Sequence, residues 1–185
     1  MSVQFMGFLA EIFKKNTVKK SNKEKNASKE ASLEKTLNEI WTIEDPSDFV
    51  TALSQYIGKK CRYGENMSIL SEPERIFYVG QLLEMEVNNG GFSQFFFNSS
   101  GDFANEIVSA FAEIGAVKTA KICKKAVSIY SGAVPADRND RENAFIETEE
   151  KLTVLEECDD AFFKYHEDLN TLNYKYVLRN IEMFT

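Results

Sequence analysis

Few residues in this chain are of the kinds that do covalent or metal chemistry. His166 is the only histidine, and the three cysteines, Cys61, Cys123 and Cys158, are far apart. A zinc site needs closely spaced ligands such as Cys-x-x-Cys, and a catalytic base needs a nucleophile or phosphate-cradling loop beside it. Neither pattern is present. The residues predict buried, reduced thiols, a packing histidine, no metal, no cofactor and no catalysis. The chemistry left is electrostatic. Between Asp137 and Asp168 there are 12 acids against 4 bases.

Read as one helix over 141–169, at about 100° per residue, that stretch places Glu142, Glu149, Glu156, Asp160 and Glu167 close together, bordered by Glu150, Glu157 and Asp168. Phe145, Leu152, Leu155, Phe162, Phe163 and Leu169 fall on a broad apolar side, with Asp159 and His166 projecting toward it as an expected buried pair. Carboxylates one turn apart are separated by about 5 to 6 Å, comparable with phosphates that rise about 3.4 Å per nucleotide on one DNA strand. The eight carboxylates are therefore candidate binding groups for a basic protein surface. An ordinary solvated face is the competing reading.

The rest of the chain must position that stripe. Its 185 residues suit one domain with a tail, and 43% hydrophobic with 12% aromatic residues suffices for a substantial interior. Only 9 Gly and 3 Pro argue against a turn-rich sandwich or barrel. The formal net charge of -7 disfavours direct contact with nucleic acid. Residues 1–35 carry 8 Lys and 4 Glu, so residues 36–185 carry net -11. No apolar run reaches the roughly 18 residues of a membrane span.

Two regions follow: 1–35, an amphipathic helix and a Lys/Asn/Ser-rich linker forming a flexible basic tail, and 36–185, a single compact all-α domain. In the first, Phe5, Phe8, Leu9, Ile12 and Phe13 have the spacing of one helix face. Residues 5–20 could contact a membrane surface weakly, dock on the body or a partner, or stay disordered. In the second, helices are predicted from Leu33 to Trp41, from Asp45 or Ser47 to Gly58, from the Ser71-Glu72-Pro73-Glu74 capping box to the Asn88–Gly91 cluster, over 102–114 and 117–130 as a hairpin, over 141–169, and from Tyr174 to Phe184.

Residues 86–101 read Glu-Val-Asn-Asn-Gly-Gly-Phe-Ser-Gln-Phe-Phe-Phe-Asn-Ser-Ser-Gly. Glycines permit left-handed backbone at a corner, Asn and Ser can satisfy helix ends, and Phe92, Phe95 and Phe96 anchor the corner in the core. Glu86 and Gln94 are expected to be partly buried and to hydrogen-bond the turn backbone.

This block, with Glu86, Asn89, Gly90, Gly91, Phe92, Gln94, Phe95, Phe96, Asn98, Ser99 and Gly101, closely resembles the signature of the DNA-mimic protein family, small acidic bacterial proteins once described as a domain of unknown function. The resemblance extends over about residues 69–130. It implies an all-α, dimeric fold, and a founding member whose surface carboxylates occupy the DNA-binding face of a transcription factor. The expected function is thus a non-enzymatic acidic protein that occupies a basic DNA-binding protein. The alternative is a structural or immunity-like module that grips its partner through apolar surface. The expected location is the cytoplasm, at most peripheral to the inner membrane face.

Overall fold

The computed structural model describes residues 35–145 and 148–185. The tail helix and linker proposed over 1–35 lie outside the described residues but for Lys35, as does Leu33. Among the described residues there are eight α-helices and no strand: α1 Leu37–Ile40, α2 Pro46–Lys60, α3 Glu72–Phe97, α4 Ile107–Ile114, α5 Val117–Val127, α6 Arg138–Ala144, α7 Glu149–Phe162 and α8 Leu169–Arg179. The protein is all-α.

Local chemistry sets most of the starts. Asp45 accepts from the Ser47 and Asp48 amides while Pro46 opens α2, where its missing N–H goes unmissed. At α3 the Ser71 hydroxyl accepts from the Glu74 amide and the Glu74 carboxylate accepts from the Ser71 amide, completing the capping box. Gly58 does not end α2. It is buried inside it, where a Cβ would lie 3.1 Å from the Tyr78 hydroxyl oxygen. The chain turns only afterwards, through Arg62, Tyr63 and Gly64, all with positive φ.

α3 is the central element, packed by α2, α4, α6, α7 and α8. Phe77, Leu83 and Val87 are fully buried on it, which is why its sequence is apolar almost all round. It bends at Gly90 and Gly91, where φ/ψ are -163°/25° and 75°/179°, and then resumes over the Phe-rich turns. Phe92, Phe95 and Phe96 are buried as expected, each worth about 2 to 3 kcal/mol relative to exposure.

Three other predicted helices differ. The stretch before α4 is a 3-10 turn over Ser99–Phe103 rather than helix from Asp102, α5 stops at Val127, and the last helix runs Leu169–Arg179 with a short turn at Ile181–Met183. α4 and α5 pack together across Gly115, which caps α4 in the left-handed region at φ 94°.

The largest correction concerns 141–169, which is not one helix. α6 ends at Ala144, α7 begins at Glu149 under a Thr148 cap, and α7 ends at Phe162 before a loop leading to α8. Thr148 accepts from the Lys151 amide, and Glu149 and Glu150 in the first turn favour the positive end of a new helix.

Candidate functional site

The block 86–101 wraps the bend of α3 around one carboxylate. Glu86, 7% exposed, accepts from Gln94 Nε2 at 2.6 Å and Asn98 Nδ2 at 2.8 Å through one oxygen, and from the Ser100 hydroxyl at 2.7 Å through the other. The partners are side chains, not the turn backbone. Ser100, absent from the residues singled out in the sequence, is the donor, whereas Ser99 is exposed. Asn89 adds a hydrogen bond to Gln94 Oε1. Both Glu86 oxygens are occupied by neutral donors, so the cluster is closed and suits holding the bend rather than binding a ligand.

The glycines are fixed by close approach. At Gly91 the positive φ disfavours any side chain, and a Cβ would sit 2.3 Å from Asp159 Oδ2. At Gly101 a Cβ would sit 2.8 Å from both the Phe95 and Phe96 carbonyl oxygens and 2.7 Å from Arg141 Nε.

Arg141 is the residue that the sequence reading missed. It is 0% exposed and donates to the Phe96 and Asn98 carbonyls at the end of α3 and to those of Pro135 and Ala136. Asp102 pairs with the same guanidinium at 2.9 Å. A rigid fork of donors thus satisfies carbonyls from two separate stretches at once, which no other side chain can do.

The predicted acidic stripe is redistributed. Glu142 lies on α6 and pairs with Arg138. Glu167 and Asp168 lie in the loop before α8. There Glu167 accepts from the Lys118 and Thr119 amides at the start of α5, and Asp168 caps α8 through Thr171. Burial works against ionising Glu167, but those amides and the Thr119 hydroxyl hold its pKa below the usual value. Hydrogen bonds from the Thr171 hydroxyl and amide lower Asp168.

Glu149, Glu150, Glu156, Glu157 and Asp160 remain together on α7, all exposed. Glu157 pairs with Lys125. Glu149, Glu150, Glu156 and Asp160 form no salt bridge among the described residues. From Glu149 to Asp160 the helix rises about 17 Å, the length of about five DNA base pairs. The opposite side of α7 buries Leu155, Cys158 and Phe162. Asp159 turns inward as expected, but its partner is the Phe92 amide at 2.7 Å. His166 is exposed, not packed against it. Phe163 is half exposed rather than core, because α7 has ended.

The three cysteines are free and buried. No helix among the described residues is long and apolar enough to cross a membrane.

A family model described as DMP19-like protein matches residues 68–180. No curated protein and no solved structure matches the chain at a significant level. The matched span covers more than half of the sequence, from just before the α3 capping box to just after α8, and on that match the chain belongs to the DMP19-like protein family.

Proposed function

We propose that the chain is a non-enzymatic acidic binding protein that mimics DNA and occupies the basic surface of a DNA-binding protein such as a transcription factor. The observation that carries this reading is the outer face of α7, where Glu149, Glu150, Glu156 and Asp160 are exposed and form no salt bridge among the described residues. Family membership supports it. Such a face speeds encounter with a cationic partner and fixes its register, and the attraction weakens as salt screens it.

A second reading rests on apolar surface. Met85, Phe163 and Tyr165 are 59%, 50% and 42% exposed, and the Tyr165 hydroxyl accepts from Asn88 and donates to Glu84, the α3 residue next to Met85. A partner gripping those side chains would be indifferent to the outer carboxylates of α7.

Affinity capture from a lysate of the native host at low salt, followed by a salt gradient, separates the two. The wild type is compared with the combined Glu149→Gln, Glu156→Gln and Asp160→Asn variant. A basic DNA-binding protein that elutes with salt from wild type and is missing from the variant supports mimicry. The same partner on both, held through several-hundred-millimolar salt, favours the apolar patch. The variant should fold within about 1 kcal/mol of wild type, since the three side chains are exposed and make no salt bridge among the described residues, Glu149 adding only its first-turn contribution.

A further inference from the structure

Recognition of a basic partner through α7 leaves a second surface unassigned, and the following inference rests on that reading. Between the start of α3, over 72–79, and the length of α4 with its N-cap, over 106–113, lies a groove of about 260 Å³. Its floor is apolar, formed by Ile76, Val79 and Ala110. One end is closed by Arg75, which grips Glu106 through two hydrogen bonds at 2.6 and 2.7 Å and lies 5.5 Å over the Phe103 ring. These two charges answer each other.

The rim carries two further carboxylates, Glu72 and Glu113, both exposed and without an ion pair among the described residues. Burial first, then Glu113 and Glu72, push the Tyr176 pKa up to about 12, with Arg179 opposing.

The volume lies just below the range typical of small-molecule sites, which begins at about 300 Å³. It suits one long side chain. Lysine and arginine lay their methylenes along apolar surface and hold their charge at a polar rim. A phosphate or acidic peptide would face Glu72 and Glu113 with like charge, and a purely apolar side chain would leave both unanswered.

We propose that the α3–α4 groove takes a lysine or arginine side chain of the basic partner, its stem on Ile76, Val79 and Ala110 and its cationic head between Glu72 and Glu113. The groove would act as a socket that fixes where the partner sits, while α7 supplies the longer-range attraction.

Isotope-labelled full chain, titrated at low salt with acetyl-Ala-Lys-Ala-amide and with the same peptide carrying norleucine in place of lysine, tests this by amide chemical shifts. The lysine peptide should move amides in 72–79 and 106–113, and the norleucine peptide should not. Glu72→Gln combined with Glu113→Gln should weaken lysine-peptide binding about tenfold. Native spectral dispersion checks that the variant folds. The combined α7 variant should still show the lysine-peptide shifts in 72–79 and 106–113. No shift in those segments, equal shifts with norleucine, or unchanged affinity in the Glu72/Glu113 variant would overturn the socket. Any of these leaves the reading of α7 standing, because partner capture tests that separately.

Discussion

The carboxylate of Asp159 accepts a hydrogen bond from the amide of Phe92, at 2.7 Å, directly after left-handed Gly91. Phe92 opens the second half of α3, where the first amides of a helix lack intrahelical acceptors. Asp159 therefore caps that half from another helix, and the residue that supports the bend also fixes the helix bearing the acidic face.

Gly91→Ala should be strongly destabilising, by about 2 kcal/mol or more, since it combines a disfavoured φ with a collision against Asp159. Gly90→Ala should cost less. Its φ of -163° is open to any residue, and the new Cβ would collide with the Gln94 side chain, displacing it from Glu86, rather than with a capping carboxylate at a positive φ. Urea unfolding midpoints check the order, and equal losses at the two positions would refute it.

Arg141→Met should cost about 3 to 5 kcal/mol, because it strips donors from four carbonyls and leaves Asp102 without its partner. Arg141→Lys should recover only a minor part, since an ammonium cannot reproduce the planar fork. Thermal or chemical denaturation of both variants decides; a lysine variant as stable as wild type would show that charge alone matters.

Two carboxylates should respond to acid in opposite senses. Burial, then the fields of Asp160 and Glu156, hold the Asp159 pKa above its usual value, with the Phe92 amide opposing. Its contribution is thus fully present below the unfolded-state pKa and lost as pH rises through the native one. Glu167 is lowered, so its contribution is present above the ordinary carboxylate pKa and lost as pH falls through the native value. Glu167→Gln should be less stable than wild type at neutral pH and converge with it on acidification. Asp159→Asn, which keeps an acceptor for Phe92, should be mildest at neutral pH and fall behind wild type as acid is added. Denaturation curves across a pH series read both, and parallel pH profiles would contradict the assignment.

Thiol chemistry should be silent in the native state. Burial pushes Cys158 up to about 11, with Lys125 opposing, and burial, then the field of Cys158, raises Cys123. An aromatic disulfide reagent at mildly alkaline pH should leave the folded chain untouched and titrate three thiols in urea. Rapid reaction of the folded protein would mean that a cysteine is accessible.

What could be read from the sequence was local. Asp45 before Pro46, the Ser71–Glu74 box and the phenylalanines at 92, 95 and 96 act over a few residues, so their roles follow from spacing alone. The sequence marks Glu86 as a partly buried polar group, but its partners lie 8, 12 and 14 residues away across a bend whose angle no periodicity encodes. Arg141 looked like one base among many acids because its acceptors are mostly backbone carbonyls, which look alike in any sequence. The breaks in 141–169 are legible too: Thr148 followed by Glu149 and Glu150, and Asp168 followed by Thr171, are both helix-start signals, but the apolar period runs through them and masks them.

α7 divides its side chains cleanly. Leu155, Cys158, Asp159 and Phe162 hold it to the rest of the molecule, whereas Glu149, Glu150, Glu156 and Asp160 form no salt bridge among the described residues and contribute only the small helix-start stabilisation of the first two. The outer residues can therefore change identity with little penalty to folding. Such a helix is an interchangeable faceplate: one scaffold could present different charge patterns to different partners, and designed substitutions there could redirect recognition without rebuilding the protein.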